Sequence, residues 1–171
     1  ARKLASEVFS WDRAIKPLLD LVEDSPERSY SDIVFDFEDD AKFSLSENPL
    51  KQLFLCRVDG FSKVECKLKD NGSASISLYE VEGAAKSIPQ DSELKLLARN
   101  FVQNEESKWH SLSFPKQENS AGKTYLLELE ATEDDLKPWT VRNAPYPLLG
   151  LYRGRKKVQN TALCMRTICR S

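Results

Sequence analysis

From residue 32 onward, apolar and polar side chains alternate with a period of two, which is the pattern of half-buried β-strands. In the run from Val64 to Leu68, for example, every second residue is charged. Turn-forming residues such as Asp70-Asn71-Gly72 separate the runs. Many short strands at this spacing predict an all-β chain folded as an antiparallel β-sandwich, or jelly roll. The predicted strands are Ile33–Phe37, Leu50–Val58, Phe61–Lys69, Ala74–Val81, Leu94–Val102, Lys108–Phe114, Thr124–Ala131, Trp139–Arg142, Leu148–Tyr152 and Leu163–Cys169.

Up to about Glu23 the sequence follows a helical pattern instead, and residues 23–31 are expected to form a loop. The apolar side chains from Leu4 to Val22 recur every three or four residues and so lie on one face of a helix. Pro17 either kinks this helix or begins a second one. We therefore predict one or two short helices in an appendage or linker over residues 1–31, followed by a β-sandwich domain over residues 32–171.

Charge is balanced overall but unevenly distributed. The chain has 25 basic and 27 acidic residues and no long apolar run, which predicts no nucleic-acid partner and no membrane span. Residues 137–171 contain eight basic residues and no acidic one. One interpretation is that these basic strands pair with acidic strands such as residues 32–40. The other is an anion-binding edge at Arg153–Lys157, suited to a phosphate, an acidic sugar or an acidic neighbouring domain.

The four cysteines do not form an obvious disulfide framework. An Asp-Gly pair at residues 59–60 predicts a two-residue hairpin, which would place Cys56 and Cys66 three rungs apart and too far from each other to bridge. Cys164 and Cys169 would point to opposite faces of one strand. No Cys-x-x-Cys motif is present. Free, buried thiols favour a reducing compartment, so we expect a cytoplasmic protein.

No recognisable catalytic, metal or cofactor motif occurs in the sequence. The single histidine, His110, lies on a predicted strand, and the common nucleophile, zinc and nucleotide motifs are missing. We therefore predict a non-catalytic chain with no catalytic residue, no metal and no cofactor. Two alternatives stay open: Asp36 and Glu128 allow a carboxylate-dependent glycan hydrolase, and the alternation of Asp36, Glu38 and Asp40 on one strand face allows calcium binding.

Aromatic and polar side chains coincide in the proline-rich, acid-free segment 137–155. Sugar rings present C–H faces that stack on aromatic rings, while Arg and Asn hydrogen-bond hydroxyl groups. We predict a ligand-binding rim formed by Trp139, Arg142, Asn143, Tyr146 and Tyr152, with an anionic sugar favoured over a neutral one. The alternative is that the aromatic residues of this rim fill the core. The aromatic residues expected in the core are Phe54, Phe101, Trp109, Phe114 and Tyr125.

A series of motifs follows a definite order over residues 50–169. The motifs are Leu50–Cys56, Phe61–Cys66, Ile76–Glu80, Lys108–Phe114, Ser120–Tyr125, Trp139, Tyr146 with Gly150, and Leu163–Cys169. Their order resembles the jelly-roll ancillary modules, similar to carbohydrate-binding modules, of bacterial and often cyanobacterial glycosyltransferases and methyltransferases of surface-polysaccharide assembly. The resemblance implies a non-catalytic carbohydrate-binding-like module of a larger glycosyltransferase or related protein, with a glycan or a neighbouring transferase domain as partner. A structural protein-interaction domain and a glycan-active enzyme stay open as alternatives.

Overall fold

The computed structural model describes residues 28–35, 38, 41–83, 85, 87–131, 135–143 and 146–171. Within these ranges the chain forms twelve β-strands and one short 3-10 helix at Asp91–Glu93. The strands are β1 (Ser29–Phe35), β2 (Leu50–Leu55), β3 (Phe61–Leu68), β4 (Gly72–Val81), β5 (Leu94–Asn104), β6 (Lys108–Gln117), β7 (Thr124–Ala131), β8 (Thr140–Arg142), β9 (Leu148–Arg153), β10 (Lys156–Val158), β11 (Thr161–Leu163) and β12 (Met165–Arg170).

The strands form two facing antiparallel sheets, which confirms the predicted β-sandwich. The smaller sheet has the order β1-β12-β3-β6, and the larger has the order β10-β9-β2-β7-β4-β5. Strands β1 to β7 and β12 alone have the jelly-roll order, with β1-β12-β3-β6 opposite β2-β7-β4-β5. Strands β8 to β11 are therefore an insertion between β7 and β12. In this insertion β9 and β10 extend the larger sheet, and β8 and β11 form a separate ribbon.

The core lies between the two sheets and is built from the inward-facing positions of the alternating strands. An aromatic cluster occupies one end of it, where the ring of Phe61 lies 4.8 Å from that of Phe114 and 4.9 Å from that of Tyr125, measured between centroids. Phe54 completes the cluster at 5.9 Å from Phe61. Edge-to-face pairs of this kind stabilise a core beyond the area that they bury.

The predicted hairpin at residues 59–60 is wrong. β2 pairs with β7 and β9, whereas β3 pairs with β6 and β12, so the turn crosses from one sheet to the other. Gly60 has a φ of +89°, and a Cβ atom there would overlap the carbonyl oxygen of Arg170 and lie 3.0 Å from its carbonyl carbon. The glycine is thus required by the close approach of β12 and does not mark a hairpin.

The prediction that Phe101 lies in the core is also wrong, because Phe101 is 71% exposed on the edge strand β5. Phe54, Phe114 and Tyr125 are buried as expected, and Trp109 is half-buried against the core. Phe101 pairs with Ser75 on the face of the larger sheet that points away from the core, while Val102 packs against the core.

The predicted N-terminal helices fall on residues 1–27, outside the part of the chain that the structure describes. Among the described residues, no helix has the length and apolar character needed to cross a membrane.

Candidate ligand-binding site

The insertion between β7 and β12 carries the residues predicted to bind a ligand. Its ribbon pairs β8 with β11, so that Arg142 lies opposite Thr161. The ribbon continues beyond this pair, because the backbone N–H of Asn143 donates to the carbonyl oxygen of Asn160 at 2.8 Å. Asn143 has a φ of +51°, in the left-handed region that asparagine tolerates. The structure therefore brings Arg142 and Asn143 together beside the turn that leads from β10 to β11.

Tyr146 is an exposed aromatic residue on an anchored backbone. Tyr146 is 62% exposed. The next residue, Pro147, is buried, and its carbonyl oxygen accepts a hydrogen bond of 2.9 Å from the N–H of Leu55 at the end of β2. An exposed ring on a fixed backbone needs little ordering when it binds a ligand, which reduces the entropic cost of binding.

A cleft of about 160 Å³ lies between the β9–β10 edge of the larger sheet and β11. Its polar lining includes Lys157, Gln159, Asn160 and Thr161. These side chains offer an ammonium group, two amides and a hydroxyl, the donors and acceptors that polyhydroxylated ligands require. Asn160 belongs both to the cleft and to the Asn143 hydrogen bond, so the cleft adjoins the predicted rim.

The inner wall of the cleft is fixed by Gln52, which is completely buried in β2. Its Nε2 donates to the carbonyl oxygens of Leu53 at 3.0 Å and Gly150 at 3.1 Å. Its Oε1 accepts from the N–H of Leu163 at 3.0 Å. One side chain therefore connects β2, β9 and β11.

Trp139 lies apart from Tyr146, so the predicted rim does not form one patch. The backbone N–H of Trp139 donates to the carbonyl oxygen of Lys67, one residue before the end of β3. Pro147 is instead bound at the end of β2 from which the chain turns directly into β3. The two residues therefore lie at opposite ends of the sandwich, roughly 20 Å apart for a strand of this length. They cannot stack on the same sugar ring.

Two side chains already occupy the surroundings of the Trp139 ring. Its Nε1 donates to Oγ of Ser107 at 3.2 Å. The ammonium nitrogen of Lys69 lies 5.3 Å from the ring centroid, within cation–π range. The residue also packs against the core. Trp139 is therefore held by the packing at the C-terminal end of β3.

The ring of Tyr152 is not available to stack on a sugar, because Tyr152 is only 4% exposed. It packs with Leu53 and Leu126 on the outward face of the larger sheet. Its ring lies over Gly150, where a Cβ atom would be 3.0 Å from Cε2 of the tyrosine. Burial raises the pKa of Tyr152. Tyr152, which the composition of segment 137–155 placed in the rim, is thus part of a second, smaller apolar cluster.

The basic C-terminal region is partly neutralised. Arg153 forms an ion pair with Glu47, and Arg166 pairs with Glu65 at 3.0 Å. These two partners lie outside the predicted acidic segment 32–40, although β1, which overlaps that segment, does pair with the basic strand β12. Residues 155–157 are exposed and make no ion pair within the described ranges. These three positive charges lie at the edge that borders the cleft.

His110 is part of a hydrogen-bond network that connects β6 to the end of β5. Its Nε2 shares a hydrogen bond of 2.8 Å with Oδ1 of Asn104, whose Nδ2 donates to the carbonyl oxygen of Asp70 at 2.6 Å. Burial and then the positive charge of Lys108 lower the pKa of His110. The neutral imidazole is therefore favoured in the fold.

The carboxylates considered for catalysis or calcium binding are only partly within the described residues. Glu128 pairs with Lys51 at 3.6 Å, and Glu38 pairs with a lysine of β3. Asp36 and Asp40 lie outside the described residues. In the described part of the chain, no group of three His, Cys, Asp or Glu side chains is placed to hold a metal ion.

Sequence reasoning missed the cleft, because it assigned no element to residues 153–162. A signal was available there: the polar run from Arg155 to Thr161 has a glycine turn before it and an asparagine near its end. Gly154 and Asn160 both adopt positive φ angles, of 63° and 49°. Such residues separate short strands, which are β10 and β11 here.

No family model and no curated protein matches the sequence. Solved structures that share the fold include two of clostridial origin. One is the clostridial cysteine protease Cwp84 after propeptide cleavage, with a TM-score of 0.57 and 11% identity over 86% of this chain and 41% of that chain. The other contains the cysteine protease and lectin-like domains of Cwp84, a surface layer associated protein of Clostridium difficile, with a TM-score of 0.53 and 11% identity over 72% of this chain and 32% of that chain. The chain spans less than half the length of either neighbour, and at this identity the similarity is one of fold.

Proposed function

We propose that the chain is a non-catalytic glycan-binding module. Its binding site, called here the insertion site, consists of Arg142, Asn143, Tyr146 and the cleft lined by residues 157–161. The observation that carries the proposal is the exposed Tyr146 ring, which belongs to an insertion that the jelly roll itself does not need. Exposed aromatic rings suit the C–H faces of sugars, and insertions on a rigid scaffold are common positions for binding residues.

The polar groups of the insertion site suit an anionic glycan. The side chains of Gln159, Asn160 and Thr161 can exchange hydrogen bonds with hydroxyl groups. Lys157 lines the cleft, and Arg155 and Lys156 are exposed next to it in the chain. A carboxylate, sulfate or phosphate substituent on the sugar would meet these charges. Because the charges are exposed, added salt should weaken the attraction.

The fold comparison supports the same function, since one of these solved neighbours contains a lectin-like domain. Jelly rolls also recur in lectins generally. We further propose that the module belongs to a larger polysaccharide-assembly protein such as a glycosyltransferase. The support for this larger context is the order of motifs over residues 50–169.

The test is an array of neutral, uronic and sulfated glycans probed with the wild type and two matched variants. Tyr146→Ala and Phe101→Ala each remove one exposed ring, but only the first lies in the insertion site. We expect Tyr146→Ala to weaken binding about fivefold, the effect of losing roughly 1 kcal/mol of stacking, and Phe101→Ala to leave binding unchanged. Thermal melts establish that both variants are folded. No binding to any glycan, or equal binding by Tyr146→Ala, would contradict the proposal.

A second candidate function, a protein-interaction domain, is favoured by one observation. Leu96 and Phe101 are 46% and 71% exposed and point to the same side of the edge strand β5. An exposed apolar pair on an edge strand is typical of interaction surfaces. Failure to bind any glycan, together with self-association that Phe101→Ala abolishes, would favour this function. Release of reducing sugar from the same glycans would instead favour an enzyme.

A further inference from the structure

Two cysteines from opposite sheets meet at one end of the sandwich. Cys56 follows β2 directly, and Cys169 lies near the end of β12. Both residues are buried and reduced. Both side chains belong to the same buried core cluster, and each thiol shifts the pKa of the other. The sequence did not predict this pair, because the predicted hairpin placed Cys56 beside β3 in a single sheet.

The backbone holds the two thiols in this position. The turn after Cys56 packs directly on β12, where the N–H of Arg170 donates to the carbonyl oxygen of Gly60 at 2.8 Å. Cys169 lies opposite Phe61 in the pairing of β12 with β3. The Cys56 thiol donates to the carbonyl oxygen of Val58 at 3.1 Å, so its side chain points into the turn. The proximity of the two cysteines therefore follows from strand pairing and from the path of the turn.

The two sulfurs differ in acidity in a way that suits thiol chemistry. The hydrogen bond from Cys169 lowers the pKa of Cys56 and raises that of Cys169. Cys56 is therefore the sulfur that more readily becomes a thiolate, the form that attacks a disulfide. Cys66 behaves differently, because burial raises its pKa to about 12 and keeps it a thiol.

We propose that Cys56 and Cys169 are a covalent modification site that forms a disulfide across the two sheets. With glutathione disulfide as the oxidant, and before folding buries Cys56, the Cys56 thiolate attacks one glutathione sulfur and releases the other glutathione as a thiolate. Cys169 then loses its proton and attacks the Cys56 sulfur of the mixed disulfide, which releases the second glutathione. The protein loses two electrons and two protons, and one glutathione disulfide becomes two glutathione thiols.

The disulfide would fasten the last strand to the turn between β2 and β3. It would close a loop of more than 100 residues, which restricts the unfolded chain strongly. The free thiols would then no longer favour a reducing compartment, because the same pair would form a disulfide in an oxidising one.

The experiment refolds the reduced full chain in glutathione buffers of increasing oxidised fraction, followed by alkylation and trypsin digestion. Lysine and arginine residues place the four cysteines on separate peptides, which are residues 52–57, 64–67, 158–166 and 167–170. We expect the peptides 52–57 and 167–170 to become linked, with loss of two hydrogen atoms. We also expect the melting temperature to rise by roughly 10 °C relative to the reduced protein and to return after reduction.

A control variant separates this pair from the other two cysteines. Cys66→Ala/Cys164→Ala should keep the linked peptides and the rise in melting temperature. The wild-type digest alone can overturn the proposal, whether or not the variant folds. Alkylation of the 52–57 and 167–170 peptides at every glutathione ratio would overturn it, and so would a linkage between the 64–67 and 158–166 peptides alone.

Discussion

The substitution Gly60→Ala tests how closely the turn between the sheets packs on β12. Gly60 has a φ of +89°, which costs an L-residue roughly 1–2 kcal/mol. Its added Cβ atom would also overlap the carbonyl oxygen of Arg170. Gly122 is a matched control, because its φ is +84° and no atom lies within 4 Å of the corresponding Cβ position. The two substitutions therefore share the backbone cost and differ in the contact with β12.

The magnitude of the difference follows from what must move. Relief of the overlap at Gly60 requires β12 to shift, and the shift weakens the 2.8 Å hydrogen bond from Arg170, a net loss of about 1 kcal/mol. It also disturbs the packing of the buried Cys169, a further loss of about 1 kcal/mol or more. We therefore expect Gly122→Ala to lower the free energy of unfolding by about 1–2 kcal/mol and Gly60→Ala to lower it by about 3–4 kcal/mol.

Urea unfolding followed by far-UV circular dichroism measures both free energies, provided that the two variants keep the same dependence on urea. The melting temperature gives a second readout, at about 2–4 °C per kcal/mol for a chain of this size. Losses that agree within about 0.5 kcal/mol would refute the reasoning. In that case β12 would not contact the turn as closely as the structure indicates, and the juxtaposition of Cys56 with Cys169 would lose its support.

Two further predictions concern the side chains of Gln52 and His110. Gln52→Leu removes three hydrogen bonds and leaves the N–H of Leu163 without its partner, so we expect urea denaturation to show a loss of about 2–4 kcal/mol. The same change at the exposed Gln103 should cost less than about 0.5 kcal/mol, and equal losses would contradict the role of Gln52. His110 has a lowered pKa in the fold, so its contribution to stability is complete above about pH 6.5 and is lost as the pH falls through its folded-state value. We expect His110→Gln to flatten the decline in urea midpoint below pH 6.5, and an unchanged slope in the variant would show that another group causes the decline.

The strands and the sandwich could be predicted from the sequence because alternation is a local property of each strand. The connections could not be predicted in the same way. The Asp-Gly turn at 59–60 has the composition of a hairpin, yet sheet packing and the approach of Arg170 determine its path. Phe101 was assigned to the core by its side-chain type, although Arg99 and Gln103, which share its face, place it on the polar side of the alternation.

The candidate site was predictable only in part, because proximity in sequence does not fix proximity in space. Trp139 and Tyr146 are seven residues apart, yet the insertion carries them to opposite ends of the sandwich. Tyr152 was predicted in the rim from its side-chain type, but it lies on the outward face of the larger sheet, where an apolar cluster buries it. The cleft depends on β10 and β11, strands of three residues each, which are too short for a periodic pattern to identify.

The most direct test of glycan binding at the insertion site is a titration of the isotope-labelled protein followed by amide chemical shifts. The titrant is the best-bound glycan from the array. We expect the largest shift changes at residues 140–143, 146, 148–150 and 157–161, with Phe101 and its β5 neighbours unchanged. Changes centred on β5, or no changes with any glycan of the array, would contradict the account.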